Sequence, residues 1–166
     1  IIIVDTAPEG SAREIAADFG DDRIVYLHVP EPGVANARNA GLAATDARYI
    51  AFLDDDEIAS EHWLAALSNS QAALDVAVVF GPLTARAQAE GRLRQHLLDR
   101  LYSRPGPEED QRLDQPYGCG NSLIDREAMT IGPQPFDPAL NETGGEDDAF
   151  FAALEDQGAR FGWAAQ

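Results

Sequence analysis

The sequence contains no lysine, so that all 12 of its basic residues are arginines. Without a lysine ammonium the chain has no residue for Schiff-base chemistry or for a P-loop. Its single cysteine, Cys119, excludes an internal disulfide and a zinc site built from several cysteines. The three histidines, His28, His62 and His96, lack the spacing of zinc ligands. Carboxylates and arginines are therefore the main candidates for chemistry.

Positive charge and long apolar runs are also scarce. The chain of 166 residues carries 29 acidic side chains and a formal net charge of −17, which disfavours a nucleic-acid partner. No apolar run approaches the ~20 residues that span a bilayer, and the run at Ile1–Val4 lacks the basic flank of a signal peptide. With the lone cysteine, these features predict a cytoplasmic protein in a reducing compartment.

Strands and helices alternate over roughly the first half of the chain, a pattern typical of a parallel sheet with crossover helices. The predicted strands cover residues 1–5, 23–29, 49–53 and 76–80, and the main helices cover 34–45 and 60–74. Beyond Pro82 we predict a helix over 86–104, an acidic loop over 105–116, a short strand at 122–124, a helix over 146–157 and a strand at 160–164. Because the sequence opens directly on an apolar strand, we expect the chain to be a fragment that lacks a preceding strand.

Acidic residues follow two of the apolar strands, namely Asp5 and the run 54–57. Ligands of open α/β sheets bind beyond the carboxyl ends of the strands. Along an extended chain Asp54 and Asp56 point to the same side, and two such carboxylates repel unless a cation lies between them. Oxygen ligands of this kind favour Mg²⁺ or Mn²⁺. The alternative is a solvated turn before a helix; the position after an apolar strand favours the metal site.

Three chemistries place acids at the end of a strand. A calcium loop of the EF-hand type needs glycine where Ala59 stands. A phosphotransferase of the haloacid dehalogenase type has the pattern D-x-D-x-[TV], but Ile58 does not fit it and the usual lysine is missing. Nucleotide-sugar transferases, whose D-x-D holds a metal on a diphosphate, remain.

Several segments together resemble the family 2 glycosyltransferases. They are V-A-N-A-R-N-A-G-L-A at 34–43, Y-I-A-F-L-D-D-D at 49–56, G-N-S-L at 120–123 and G-E-D-D at 145–148. The resemblance covers nearly the whole chain. It implies an α/β GT-A fold, which is a Rossmann-like, mostly parallel sheet flanked by helices, in a single domain over 1–166. Residues 84–116 would lie between a nucleotide-binding half and an acceptor-side half.

The resemblance also implies roles for individual residues. Asp147 would be the catalytic base. The nucleotide sugar would be bound by Asp5, Arg38, Asp54 and Asp55. A Mn²⁺ or Mg²⁺ ion would be held by Asp56 and Asp54. The acceptor side would include Gly120, Asn121 and Glu146.

The reaction that the resemblance implies is the inverting transfer of one sugar from a nucleotide diphosphate sugar, most simply a UDP-sugar. The acceptor would be a hydroxyl of a saccharide or of a lipid-linked molecule in bacterial cell-surface polysaccharide synthesis. The Q-x-x-R-W motif of processive enzymes is absent. The alternatives are a module that binds nucleotide sugars without turnover and a metal-dependent phosphotransferase of the haloacid dehalogenase type.

Two helices allow a second interpretation. Thr143 and Glu146 have the spacing of a capping box, which would give Glu146 a purely structural role. The predicted helix over 86–104 holds five arginines against Glu90 and Asp99. This helix could contact an anionic membrane surface peripherally, or it could be solvated with its leucines packed on the domain.

Overall fold

The computed structural model describes residues 1–165 and confirms the α/β class. The chain forms two compact units. The first unit contains residues 1–48 and 130–157, and the second contains residues 49–129 together with the C-terminal segment from Gly158.

The first unit is built on a parallel pair of strands. Strand β1 (Ile2–Asp5) pairs with β2 (Val25–His28), with Ile2 opposite Val25. Helix α1 (Arg13–Asp18) packs on β2 and helix α2 (Val34–Ala43) packs on β1. Helix α5 (Glu146–Asp156) completes this unit. The parallel strands with intervening helices are the arrangement that the alternating pattern predicts.

The second unit contains a mixed sheet of five strands. They are β3 (Tyr49–Phe52), β4 (Val78–Phe80), β5 (Gln111–Leu113), β6 (Ser122–Asp125) and β7 (Phe161–Trp163), in the spatial order β3-β6-β4-β7-β5. Strand β6 runs antiparallel to both β3 and β4, whereas β7 is parallel to β4. Three strands therefore share one direction, and β6 and β5 run against them. Strand β5 lies inside the segment predicted as an acidic loop.

The core of the second unit forms where helix α3 (Trp63–Leu74) packs on β4, β6 and β7. Leu67 of this helix meets Val76, Val79 and Leu123 in one buried cluster. All three residues of β4 are buried, as expected of a central strand covered on both faces. This core holds the carboxyl ends of β3 and β4 and the start of β6 in fixed positions.

Helix α4 (Arg92–Tyr102) is shorter than predicted. It begins after Gly91, whose φ of 88° few other residues adopt, and it ends before Ser103. Arg86 and Arg104 therefore lie outside the helix. Instead, Arg104 pairs with Leu83 in an antiparallel bridge that brings the end of α4 close to the end of β4. Among the described residues no helix combines the length and apolar character needed to cross a membrane.

Candidate functional site

The acidic run after β3 forms a turn, which we call the acidic turn (residues 54–57). The Glu57 N–H donates to the Asp54 carbonyl at 3.0 Å, and the Asp54 N–H donates to Glu57 Oε2 at 3.1 Å. Asp55 and Asp56 occupy the corner of the turn and are exposed. The extended conformation assumed for residues 54–56 is therefore wrong. The turn brings Asp54 and Glu57 together, because each hydrogen-bonds the backbone of the other.

The carboxylates of Asp54 and Glu57 converge on the backbone of Gly120. A Cβ atom at Gly120 would lie 2.6 Å from Asp54 Oδ2 and 2.8 Å from Glu57 Oε1, so no side chain fits there. Burial raises the pKa of Glu57, and the negative charges of Asp54 and Asp56 raise it further. The acidic turn thus places carboxylate oxygens of Asp54 and Glu57 close together, in the space that a side chain at Gly120 would fill.

Arg104 organises the loop that contains Gly120. Its guanidinium donates to four carbonyl oxygens: Nε to Gly81 at 3.1 Å, Nη1 to Gly118 at 3.0 Å, and Nη2 to Gly120 at 2.6 Å and Asn121 at 3.3 Å. A planar fork with five N–H donors can serve such a ring of acceptors, whereas an ammonium group cannot. The loop over 118–121 is therefore fixed around one side chain.

Arg104 also couples electrostatically to the acidic turn. Burial lowers the pKa of Arg104, whereas the negative charges of Glu57 and Asp54 raise it. The sequence pattern places Arg104 in the predicted helix over 86–104 and does not indicate this role. No local signal reveals it, because its partners lie 14 to 23 residues away along the chain.

Asn121 supports the same loop from within. Its Oδ1 accepts a bond from Trp63 Nε1 at 2.7 Å, and its Nδ2 donates to the Pro82 carbonyl at 2.7 Å. The residue is buried and has a φ of 49°, a conformation that asparagine tolerates better than most residues. Both polar ends of its amide are engaged inside the second unit, so the predicted acceptor-side role of Asn121 stays a prediction.

In the first unit, Asp5 closes the loop that follows β1. Its carboxylate accepts bonds from the Ala12 N–H at 2.8 Å, the Ala7 N–H at 2.9 Å and the Tyr26 hydroxyl at 2.8 Å. The bond from Ala12 is the main reason why the pKa of Asp5 is lowered. Beside this structural role, the predicted contact of Asp5 with the nucleotide stays a prediction.

Arg38 and Glu146 form a buried ion pair between α2 and α5. Arg38 Nη1 lies 2.6 Å from Glu146 Oε1, and each side chain is only 11% exposed. The predicted capping box is wrong, because Gly145 precedes α5 and no side chain caps the helix. The Thr143 hydroxyl donates to the adjacent Gly144 carbonyl at 3.4 Å. The structure therefore gives Glu146 a partner in Arg38, and their predicted contacts with acceptor and nucleotide stay predictions.

The side chains of two asparagines hold the segment that leads to α5 against α2. Asn39 Nδ2 donates to the Phe136 carbonyl at 2.7 Å, and Asn39 Oδ1 accepts from the Phe136 N–H at 3.0 Å. Asn141 Oδ1 accepts from the Ala35 N–H at 2.9 Å and so satisfies the start of α2. Helix α2 therefore contacts the segment 136–146 at Phe136, Asn141 and Glu146.

Asp147 follows directly and is the second residue of α5. It is half-buried, and its Oδ1 accepts from the Asp148 N–H at 3.0 Å, whereas Asp148 is exposed. The amino end of a helix stabilises a carboxylate. Phe150 and Phe151, about one turn further on, are buried in the first unit. Helix α5 is thus held at its first residue by Arg38 and along its length by these rings, which fixes Asp147 between them.

Comparison with known proteins identifies the family of the chain. Residues 1–131 match the family described as glycosyl transferase family 2. The match covers most of the chain, and the chain belongs to this family. Membership favours sugar transfer over the phosphotransferase alternative.

Three curated relatives show where such domains occur. The succinoglycan biosynthesis protein ExoM of Rhizobium meliloti is 28% identical over the whole of this chain and 54% of its own length. The minor teichoic acid biosynthesis protein GgaB of Bacillus subtilis is 32% identical over 62% of this chain and 12% of its own length. The glycosyltransferase GlyA of Streptococcus pneumoniae is 25% identical over 61% of this chain and 15% of its own length. The chain therefore spans about half or less of the length of these relatives.

The buried ion pair yields a prediction on stability. We expect Arg38→Met to lower the free energy of unfolding by about 3–5 kcal/mol, because it leaves the Glu146 carboxylate buried without its cation. The double variant Arg38→Met/Glu146→Leu should recover part of that loss. Urea denaturation measures both. The control is Arg160→Met, which breaks an ion pair of similar length at 2.7 Å but with side chains 52% and 81% exposed. An equal loss in both single variants would contradict the prediction.

The position of Arg104 yields a second prediction. We expect Arg104→Lys to increase the hydrogen–deuterium exchange of a peptide covering the 118–121 loop by roughly tenfold or more, because an ammonium cannot replace several charged hydrogen bonds. The matched control is Arg112→Lys, since Arg112 donates two bonds to the Leu74 carbonyl elsewhere in the second unit. Unchanged exchange in Arg104→Lys, or the same increase in Arg112→Lys, would show that Arg104 does not hold the loop.

Proposed function

We propose that this chain transfers a single sugar, with inversion, from a nucleoside diphosphate sugar such as a UDP-sugar to an acceptor hydroxyl. Family membership supports the reaction class. The observation that carries the donor side is the convergence of the Asp54 and Glu57 carboxylates on Gly120. The names of the succinoglycan and teichoic acid relatives suggest a saccharide or lipid-linked acceptor in bacterial surface polysaccharide synthesis.

The acidic turn fits a hard divalent cation. Its ligands are oxygens only, and Gly120 leaves space beside them. No group of three or more His, Cys, Asp or Glu side chains within residues 1–165 is placed to hold a metal, so that phosphate oxygens would complete the coordination. Asp54 and Glu57 would hold Mn²⁺ or Mg²⁺, with the predicted ligand Asp56 exposed beside them at the corner of the turn and the exposed Asp55 facing the donor. When bound, the cation neutralises charge that develops on the leaving diphosphate.

Asp147 is the proposed base. It takes the proton of the acceptor hydroxyl while the hydroxyl oxygen forms a bond to the anomeric carbon. The bond between that carbon and the diphosphate breaks in the same displacement, which inverts the configuration. Asp147 lies in the first turn of α5, and a carboxylate can act as the general base of such a transfer.

Arg38 and Glu146 act as positioning residues in this proposal. Their ion pair fixes the first residue of α5, and Asp147 is the next. A base that is held in place before the acceptor binds loses less freedom during the reaction. The A-R-N segment would thus serve catalysis by orienting the base.

The metal site is tested by thermal unfolding with Mn²⁺ and UDP. We expect the two ligands together to raise Tm by more than the sum of their separate effects, because each supplies groups that the other binds. Glu57→Gln keeps an acceptor for the Asp54 N–H and removes a repelling charge, so the ligand-free variant should be at least as stable as the parent. The Glu57→Gln variant should not show the joint effect of Mn²⁺ and UDP on Tm.

The control for this experiment is Asp75→Asn. Asp75 is an exposed carboxylate of the second unit with a φ of 52°, which asparagine tolerates. The Asp75→Asn variant should retain the joint effect of Mn²⁺ and UDP on Tm. Strictly additive shifts in the parent, or a joint effect that survives in Glu57→Gln, would count against the site.

The base is tested by Asp147→Asn. We expect sugar transfer to fall by ~10² or more, the usual scale for losing a general base, whereas the joint Mn²⁺ and UDP effect on Tm survives. Asp148→Asn, at the exposed neighbouring residue, should retain most of the activity. Near-parent transfer by Asp147→Asn, or loss of transfer in Asp148→Asn alone, would refute this assignment. If no transfer occurs with the parent although the joint effect is present, a binding module without turnover is the better account.

A further inference from the structure

Helix α4 presents an apolar stripe to the surface. Leu93, Leu97 and Leu101 are 73%, 58% and 71% exposed. Their spacing of four residues places them side by side on one face of the helix. All residues of α4 are exposed or half-buried, so that the alternative in which these leucines pack on the domain is wrong. An apolar stripe of this kind on a charged helix marks an interaction surface.

The stripe is bordered by positive charge. At 100° per residue, Arg94 and Arg100 lie on opposite sides of the three leucines. The only acidic residue of the helix is Asp99, and its Oδ1 accepts a bond from the Ala87 N–H at 2.7 Å, which turns it toward the preceding segment. The stripe is therefore a local cationic surface on a chain whose net charge is −17.

An open cavity of about 470 Å³ adjoins this face. Arg100 and His96 contribute nitrogen donors to its wall, Thr84 and Ser103 contribute hydroxyl groups, and Asp99 contributes a carboxylate. Guanidinium and hydroxyl donors are suited to phosphate oxygens. Donors for an anion thus lie on the side of α4 where Arg100 borders the apolar stripe.

We propose that α4 docks on the surface of an anionic lipid bilayer. Leu93, Leu97 and Leu101 enter the acyl boundary, and Arg94 and Arg100 meet lipid phosphates at its edge, as in interfacial amphipathic helices. A second copy of the chain fits less well, because a symmetric contact would bring the arginines of both copies together. The acidic remainder of the chain is repelled by the same lipids, which leaves α4 as the face turned to the membrane.

The proposal is tested by sedimentation with vesicles of phosphatidylcholine, alone or mixed with phosphatidylglycerol. We expect the chain to bind the mixed vesicles, and binding to weaken as salt is added. The variant Arg94→Gln/Arg100→Gln should lower the partition coefficient roughly 30-fold, from about 1 kcal/mol for each arginine at an anionic surface. Leu97→Gln should also weaken binding.

Two variants serve as controls: Leu64→Gln, at a leucine of α3 that is 54% exposed, and Arg160→Gln, at an exposed arginine. Both should bind as the parent does, and an unchanged Tm confirms folding of every variant. Equal binding to neutral and anionic vesicles, no binding to either, or parent-like binding by the α4 variants would overturn the proposal. So would a dimer in sedimentation velocity that Leu97→Gln dissociates, because α4 would then be a contact between copies.

Discussion

The buried ion pair between Arg38 and Glu146 is the interaction on which the first unit depends. A charged side chain with so little exposure is stable only beside an opposite charge. The ion pair therefore requires the start of α5 to lie beside α2. Hydrogen bonds of Asn39 and Asn141 hold the segment that leads to α5 against α2. As a consequence, Asp147 directly follows Glu146, whose position is fixed by the ion pair.

In the second unit, a half-buried arginine likewise holds a loop in place. Arg104 gathers four carbonyl oxygens around one guanidinium and holds Gly120 beside the carboxylates of Asp54 and Glu57. In a chain without lysine, both roles fall to arginine, whose planar donors can bind several acceptors at once. Arg38 and Arg104 thus place their positive charge inside the units, next to a carboxylate and to carbonyl oxygens that need a partner.

Regular elements could be predicted from the sequence, whereas the partners of the site residues could not. Helices α2, α3 and α5 and strand β6 follow from apolar periodicity and from glycine and proline breakers. The capping pattern at Glu146 was misleading, because the ion pair with Arg38, 108 residues away, outweighs a local bond. The D-x-D pattern does not predict the acidic turn, because the bonds between Asp54 and Glu57 depend on a side chain outside that pattern.

The most direct test of the account is the paramagnetic broadening of backbone amide resonances by Mn²⁺ in the presence of UDP. With little Mn²⁺ added, we expect selective broadening at Asp54, Asp56, Glu57 and Gly120, because these residues surround the proposed cation. A chain with a net charge of −17 also attracts cations generally. Broadening spread over the acidic surface, or centred on other residues, would contradict the assignment of the acidic turn as the metal and diphosphate site.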